Sequence, residues 1–404
     1  MIEESIMKNG VTNNHWLLPQ GIEEALPADA ARLESLRRNL LDMYSRWGYQ
    51  LVMPPMIEFL ESLLTGTGHD LNLQTFKLID QLTGRSMGLR ADMTPQVARI
   101  DAHQLTNDAP NRLCYMGTVL HTMPDGFGSS RSPFQAGAEL YGHAGVESDV
   151  EVLCLMVETL EMAGVKDVYI DIGHVGIYRG LSKQAGFDED QEATLFEMMQ
   201  RKAIPEIQAF LAEQSIDKDI EDMLNLLPEL HGGNACLQRA TDAFAKADSA
   251  VKEALEYLKQ AVALLKKRIG DIAINFDLSE LRGFHYHTGL LFAAYTLGEG
   301  QEIARGGRYD DIGQVFGRAR PATGFSTDLK TLLNLSSSET QTLNNNAIYA
   351  PSLSENDSGL WKAVSELRAN GETVIQSLPG QQASASDLGC SRELKNNSGN
   401  WVVE

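Results

Sequence analysis

The chain has 404 residues, 43% of them hydrophobic, and a formal net charge of −21 from 34 Lys and Arg against 55 Asp and Glu. That length exceeds one ordinary core, so two or three domains are expected. The apolar fraction fits a soluble globular protein, no apolar run is long enough for a bilayer span, and the lack of a Lys/Arg cluster weighs against a nucleic-acid partner, whose phosphates need neutralising. MIEESIMKNG at the start lacks a basic segment followed by an apolar stretch, so no secretory signal is expected there and the location expected is cytoplasmic. The cysteines, Cys114, Cys154, Cys236 and Cys390, are scattered with no C-x-x-C, which fits free thiols in a reducing compartment.

In chain order, residues 29–47 give an amphipathic helix, because Leu33, Leu36, Leu40, Met43 and Trp47 recur at three- and four-residue steps. Asp29 is its expected N-cap and Gly48 its stop. A short strand, YQLVMPP, follows and is broken by Pro54 and Pro55. Residues 74–81 and 86–91 read as a hairpin turning at Thr83 and Gly84, and ADMTPQVAR (91–99) opens a helix. Strands flank the loop within 112–142, a helix covers 147–163, strand VYIDIG (168–173) follows, and a helix begins near 175. Residues 186–269 are charged, poor in β-branched runs and helical in period. Strands resume with IAINFDL, the 284–295 run, QEIARGG and a final strand and helix over 321–333. The polar stretch 336–346, SSSETQTLNNN, reads as a linker. Beyond it come AIYAP, helix SGLWKAVSELRANG, strand TVIQSL and a helix-like QASASDLGCSRELKN before WVV. The expected organisation is a core over 1–335 with a helical insertion at about 186–269, the linker, and a small α/β domain over 347–404.

Four segments carry more than local structure. Residues 112–142 hold Leu120, His121, Thr122 and Met123 on a first strand and Gln135 and Glu139 on a second. Residues 281–292 read LRGFHYHTGLLF, 303–311 read IARGGRYDD and 321–333 read PATGFSTDLKTLL. The long helix, Gly-Tyr, strand and proline near residue 50, with 112–142 and 321–333, resemble motifs 1, 2 and 3 of class II aminoacyl-tRNA synthetases in their histidyl form, and 281–292 and 303–311 resemble two signatures specific to the histidyl branch. That resemblance implies an α+β fold: a mostly antiparallel sheet with flanking helices, and a helical insertion between motifs 2 and 3. In a working synthetase the first motif 2 strand runs Phe-Arg-x-Glu, with the arginine on the ATP α-phosphate; here His121 and Met123 stand at the Arg and Glu positions. Motif 3 keeps Gly324 and Phe325, but its Glu-Arg pair is Lys330 and Thr331. With nucleotide-binding groups lost and amino-acid-binding groups kept, the pattern is similar to the regulatory subunits of ATP phosphoribosyltransferase, synthetase paralogues in histidine biosynthesis.

A free histidine needs acceptors for its ammonium, a cation or amide donor for its carboxylate, and partners for both ring nitrogens. Asp92 and Glu139 are acceptors, Thr94 and Gln135 adaptable hydrogen-bonding groups, Arg282 a forked donor, and Tyr286 and Tyr309 are placed to close over a ring. By resemblance, Asp92, Thr94, Gln135 and Glu139 hold the ammonium side and ring region, and Arg282 faces the carboxylate. His287 stands where the synthetase signature has its second tyrosine and His285 where it has aspartate, so the histidine-binding set becomes Asp92, Thr94, Gln135, Glu139, Arg282, Tyr286, His287 and Tyr309. The H-x-H of His285 and His287 has no further ligand at metal-site spacing, and no metal or cofactor is expected. Gly306–Gly307 belongs to no phosphate-loop pattern and fits close strand packing. No catalytic residues are expected in the chain. The resemblance implies these partners: a short-form ATP phosphoribosyltransferase catalytic subunit, a second copy through the motif 1-like element, a hetero-octamer of four chains of each kind, and L-histidine. The competing readings are a true histidyl-tRNA synthetase and another synthetase-like histidine-sensing module.

Overall fold

The structure is a computed structural model and describes residues 17–65, 69–105, 107–124, 130–279, 286–336, 346–352 and 358–404. The chain divides into two compact units, one of 1–24 with 33–337 and one of 25–32 with 338–404.

In the first unit, nine strands among the described residues form one sheet. Its order is Gln50–Leu51, Asn111–Thr118, Phe134–Tyr141, Ala322–Asp328, Ala304–Arg308, Leu290–Thr296, Val168–His174, Ala273–Asp277 and His231–Gly232. The six strands from Asn111–Thr118 to Val168–His174 are antiparallel to their neighbours, and parallel pairs occur only toward the two edges. Strand residues alternate faces, and here the alternation separates core from site. Cys114, Ala136, Ala138, Leu140 and Phe325 face one core with Leu36, Leu40, Met43 and Tyr44 of helix Pro27–Arg46 and the buried residues of helix Val146–Met162. Leu113, Tyr115 and Tyr141 face the other side, with Met93, Val97 and Ala98 at the start of helix Thr94–His103.

The expected strand YQLVMPP is trimmed to Gln50–Leu51. The expected hairpin begins later than the periodicity suggests: His69–Gln74 is helical, and Lys77–Ile79 pairs with Ser86–Leu89, which also pairs with Ile57–Phe59. The insertion is helical apart from the short edge strand His231–Gly232 and ends in the 21-residue helix Ser249–Ile269, whose Val251, Leu255, Leu258, Val262 and Leu265 form its buried stripe.

The second unit holds a four-stranded sheet, Val374–Gln376, Ala347–Ala350, Cys390–Asn397 and Asn400–Val403, with helix Ser358–Ala369 against it. Here the helix expected from QASASDLGCSRELKN is instead the strand Cys390–Asn397. Cys390 and Leu394 point inward on the period of a strand, and Ser398 and Gly399, at φ 54 and 94, turn the chain back into Asn400–Val403. Nearly all of the expected linker, residues 337–345, lies outside the described residues.

Candidate functional site

Glu139 lies near the middle of the sheet and is 1% exposed. Its strand neighbour in register is Gly324, where an added Cβ would fall 1.4 Å from Glu139 Oε2, so the bare glycine is what leaves space for the carboxyl. The next strand supplies Tyr115, paired with Gly137; a Cβ there would meet the Tyr115 hydroxyl at 2.4 Å. The tyrosine therefore lies across a bare stretch of backbone and reaches Glu139 diagonally. Tyr115 OH donates to Glu139 Oε1 at 2.9 Å, Thr94 Oγ1 donates to the same oxygen at 3.1 Å, and Tyr309 OH donates to Oε2. Burial pushes the carboxyl up to about 8; the bonds from Tyr309 and Tyr115 pull it down, and the neighbouring Asp92 charge pushes it up. Burial likewise raises the Tyr115 and Tyr309 hydroxyls well above their ordinary range, so both stay donors at neutral pH.

A second carboxyl stands nearer the rim, partly exposed. Asp92 Oδ1 accepts from Gln135 Nε2 at 2.7 Å and from Thr94 N at 3.0 Å, and Gln135 Oε1 accepts from Met93 N at 3.0 Å. The two bonds of Gln135 fix its amide orientation and clamp the start of helix Thr94–His103 to the sheet. Arg90, buried beside this turn, donates to Pro54 O and Thr118 O at 2.7 and 2.9 Å, tying the same turn to two further segments.

Tyr286, His287 and Tyr309 form a ring cluster, with centroids 4.0 Å apart for Tyr286 and His287, 5.8 Å for Tyr286 and Tyr309, and 6.5 Å for His287 and Tyr309. Gly307 makes room for it, since a Cβ there would come within 2.8 Å of the His287 ring. The structure thus brings together Asp92, Thr94, Gln135, Glu139, Tyr286, His287 and Tyr309. Arg282 and His285 fall in residues 280–285, outside the described residues. Among the described residues no cluster of three or more His, Cys, Asp or Glu is arranged to hold a metal. Tyr115 was missed by the sequence reading. The signal was present but faint: an aromatic on the same strand parity as the residues facing Glu139.

The positions that a synthetase gives to nucleotide-binding groups are occupied differently. His121 Nε2 is 2.9 Å from Ala91 O, so the imidazole is spent on backbone. Met123 is exposed. Thr331 Oγ1 donates to Asp328 Oδ2 at 2.9 Å inside the cap of helix Leu329–Leu335. Lys330 Nζ donates to Ser132 O at 2.7 Å, pinning the helix to the start of the second motif 2 strand. Arg131, left at the end of the loop, donates to His121 O and Gln20 O, both at 3.0 Å.

Next to the site runs a buried ion pair. Arg308 Nε and its neighbouring nitrogen reach the two carboxylate oxygens of Asp149 at 3.1 and 2.8 Å, and Tyr257 OH donates to Asp149 Oδ2 at 2.5 Å. Burial opposes the Arg308 charge, but Asp149 outweighs it and holds the guanidinium above its ordinary value. A groove of about 390 Å³ opens behind this pair between helices Val175–Ala185 and Ser249–Ile269, lined by Gly176, Gly180, Ala250 and Ala254 with His174 and Tyr257 beneath. Its lining also includes Arg179, Lys183 and Glu253.

Comparison with known proteins agrees in both halves of the chain. The histidyl-tRNA synthetase family profile matches residues 21–332, and that of the ATP phosphoribosyltransferase subunit HisZ C-terminal domain matches residues 345–404. The ATP phosphoribosyltransferase regulatory subunit of Thioalkalivibrio sulfidiphilus (strain HL-EbGR7) is 59% identical over 392 residues, covering 97% of this chain and 98% of that protein. That of Alkalilimnicola ehrlichii is 54% identical, covering 97% of each. A crystal structure described as an ATP phosphoribosyltransferase regulatory subunit/histidyl-tRNA synthetase from Bacillus halodurans superimposes with a TM-score of 0.81 at 25% identity, over 92% of this chain and 95% of that one. The histidyl-tRNA synthetase of Nostoc sp. PCC 7120 shares the fold, with a TM-score of 0.72 at 18% identity over 94% and 91% of the two chains.

Proposed function

The chain belongs to the family of ATP phosphoribosyltransferase regulatory subunits, whose larger part is built on the histidyl-tRNA synthetase fold, and from that premise we propose that it is a non-catalytic subunit. It activates a short-form catalytic chain and carries feedback inhibition by L-histidine in the first step of histidine biosynthesis. The carrying observation is the split state of the site. Asp92, Thr94, Gln135, Glu139 and Tyr309 are tied into one hydrogen-bonded group, while His121 and Thr331 are turned to structural bonds where a synthetase holds phosphate. Each charged hydrogen bond to a phosphate contributes roughly 1.5–3 kcal/mol, so losing two arginines and a glutamate removes most of the basis for adenylate formation.

Histidine fits the remaining groups by charge and depth. The ammonium goes to the half-buried Asp92, where water still reaches, and the carboxylate to Arg282. The uncharged ring goes to the fully buried end, between Glu139 and the Tyr286, His287 and Tyr309 rings. The motif 1-like helix and strand pair two copies, the complex with the catalytic chain is a hetero-octamer, and the setting is the cytoplasm. Among the described residues no helix is long and apolar enough to cross a membrane.

The test is phosphoribosyl-ATP formation by a cognate short-form catalytic subunit, with and without this chain, across a histidine titration. Addition of the chain should raise kcat, and saturating histidine should lower the rate of the complex. Glu139→Ala should weaken the histidine response by about tenfold or more while leaving the two chains associated, because it removes a buried partner of the ligand. Absence of co-elution with the catalytic subunit, together with an unchanged rate, would refute the assignment. Histidine-dependent pyrophosphate exchange into ATP above background would instead favour the synthetase reading.

A further inference from the structure

Among the described residues, the donors on the Glu139 carboxyl are all hydroxyls: Thr94 and Tyr115 on Oε1, Tyr309 on Oε2. Thr94 Oγ1 and Tyr115 OH also lie 3.0 Å from each other. These two oxygens and Glu139 Oε1 therefore form a closed triangle, each edge within hydrogen-bonding distance. If Glu139 is ionised, the triangle contains two protons, both directed at Oε1. The Thr94–Tyr115 edge then sets two oxygens face to face with no proton between them. If Oε1 carries a proton, every edge is filled: Glu139 donates to Thr94, Thr94 to Tyr115, and Tyr115 back to Glu139. Proton counting thus favours the neutral acid, and burial acts in the same direction.

The surroundings agree from each side. The segment before helix Thr94–His103 brings Asp92, a like charge. Strand Asn111–Thr118 brings Tyr115, the Glu139 strand itself Tyr141, and the chain after strand Ala304–Arg308 Tyr309. The turn ahead of Leu290–Thr296 brings Tyr286 and His287, while Ala322–Asp328 contributes only Gly324 at this register.

We propose that Glu139 is a carboxylic acid in the unliganded chain, that ligand binding turns its proton from Thr94 to the unprotonated ring nitrogen of an imidazole, and that Tyr115 is the positioning residue that poises this proton. The proposal rests on the histidine-binding reading and adds the protonation state of the recognition group. Proton, donor and acceptor balance: the bound pair keeps one proton between carboxyl and ring, so near neutral pH nothing is released to solvent. The Tyr115 hydroxyl donates to the ionised form as well, so it keeps the proton exchangeable near neutrality and does not lock it in place. The ligand selected is the amino acid with a neutral ring.

The experiment is calorimetric titration of the full chain with L-histidine from about pH 6.5 to 9.5, in pairs of buffers of different ionisation enthalpy. Wild-type affinity should be level up to about pH 8 and fall above it, with a proton taken up on binding. Glu139→Gln supplies a permanently neutral donor of the same shape. It should keep binding within about tenfold at neutral pH and lose the part of the alkaline fall that belongs to Glu139. Tyr115→Phe should bind within about threefold at neutral pH but move the alkaline midpoint up by roughly half a pH unit or more. A purely structural role for Tyr115 would lower affinity at all pH values and leave the midpoint in place, which would overturn that part. Loss of about a hundredfold in Glu139→Gln, or wild-type affinity that rises up to pH 8, would mean a carboxylate accepting from the N–H of the neutral ring and would overturn the whole. A wild-type chain that binds no histidine would remove the functional reading itself, an outcome distinct from either.

Discussion

At Glu139 the folded chain holds a proton over a pH range in which the unfolded chain has released it. The carboxyl titrates at about 8 when buried and at 4.5 when unperturbed. Its contribution to stability is therefore fully present below 4.5 and is lost as pH climbs through 8, at about 1.4 kcal/mol per pH unit between them. The unfolding free energy of the wild type minus that of Glu139→Gln, from urea titrations at each pH, should decline across this window and level off on both sides. A difference that stays flat would show that Glu139 is ionised in the folded chain. Glu139 was readable in the sequence because a motif of Gln and Glu four apart marks it. Tyr115 was not, because its role depends on strand register and on Gly137 lying opposite. A tyrosine in an apolar strand otherwise looks like core, and by burial this one is core as well.

At the scale of elements, the geometry around the site depends on one ion pair as much as on the sheet. Arg308 precedes Tyr309 and points to the opposite face, where it grips Asp149 on helix Val146–Met162 and the backbone oxygens of His143 and Gly145. Asp149 has no exposed surface, so removing its partner strands a buried charge. Arg308→Ala should cost about 3–5 kcal/mol in urea unfolding, well above a surface ion pair. A loss under about 1 kcal/mol would mean that Tyr257 alone satisfies Asp149. Sequence reading located most elements because apolar periodicity survives in single sequences: the long first helix, the insertion helices and the strand before residue 175 all stand near their expected places. It failed at Cys390–Asn397, where SRELKN has the charged look of a helix. There a paired strand partner and the Ser398–Gly399 turn decide the conformation, and neither is a local property.

For the whole molecule, the order of the three motifs along the chain made the architecture legible, since each motif brings a fixed element with it. What the order could not give is how ligand occupancy reaches a partner, because that depends on differences between two states of a complex. Thermodynamic linkage still fixes one property of it. If histidine on this chain weakens substrate binding to the catalytic subunit by some factor, substrate must weaken histidine binding to this chain by the same factor. On the proposed reading Glu139 recognises the ligand, and among the described residues His121 and Thr331, at the phosphate-clamp positions of a synthetase, are spent on structural bonds, so antagonism between histidine and ATP or phosphoribosyl pyrophosphate has to cross the interface between chains and cannot be competition within one pocket. Histidine affinity should therefore be the same for the isolated chain with and without these substrates. In the assembled complex, saturating substrate should lower it by about 5- to 150-fold, the usual range for coupled sites. Calorimetry on the chain alone and on the complex measures both. Substrate that weakens histidine binding to the isolated chain would place a nucleotide site here after all, and a complex whose histidine affinity ignores substrate would leave the chain an activator without a feedback role.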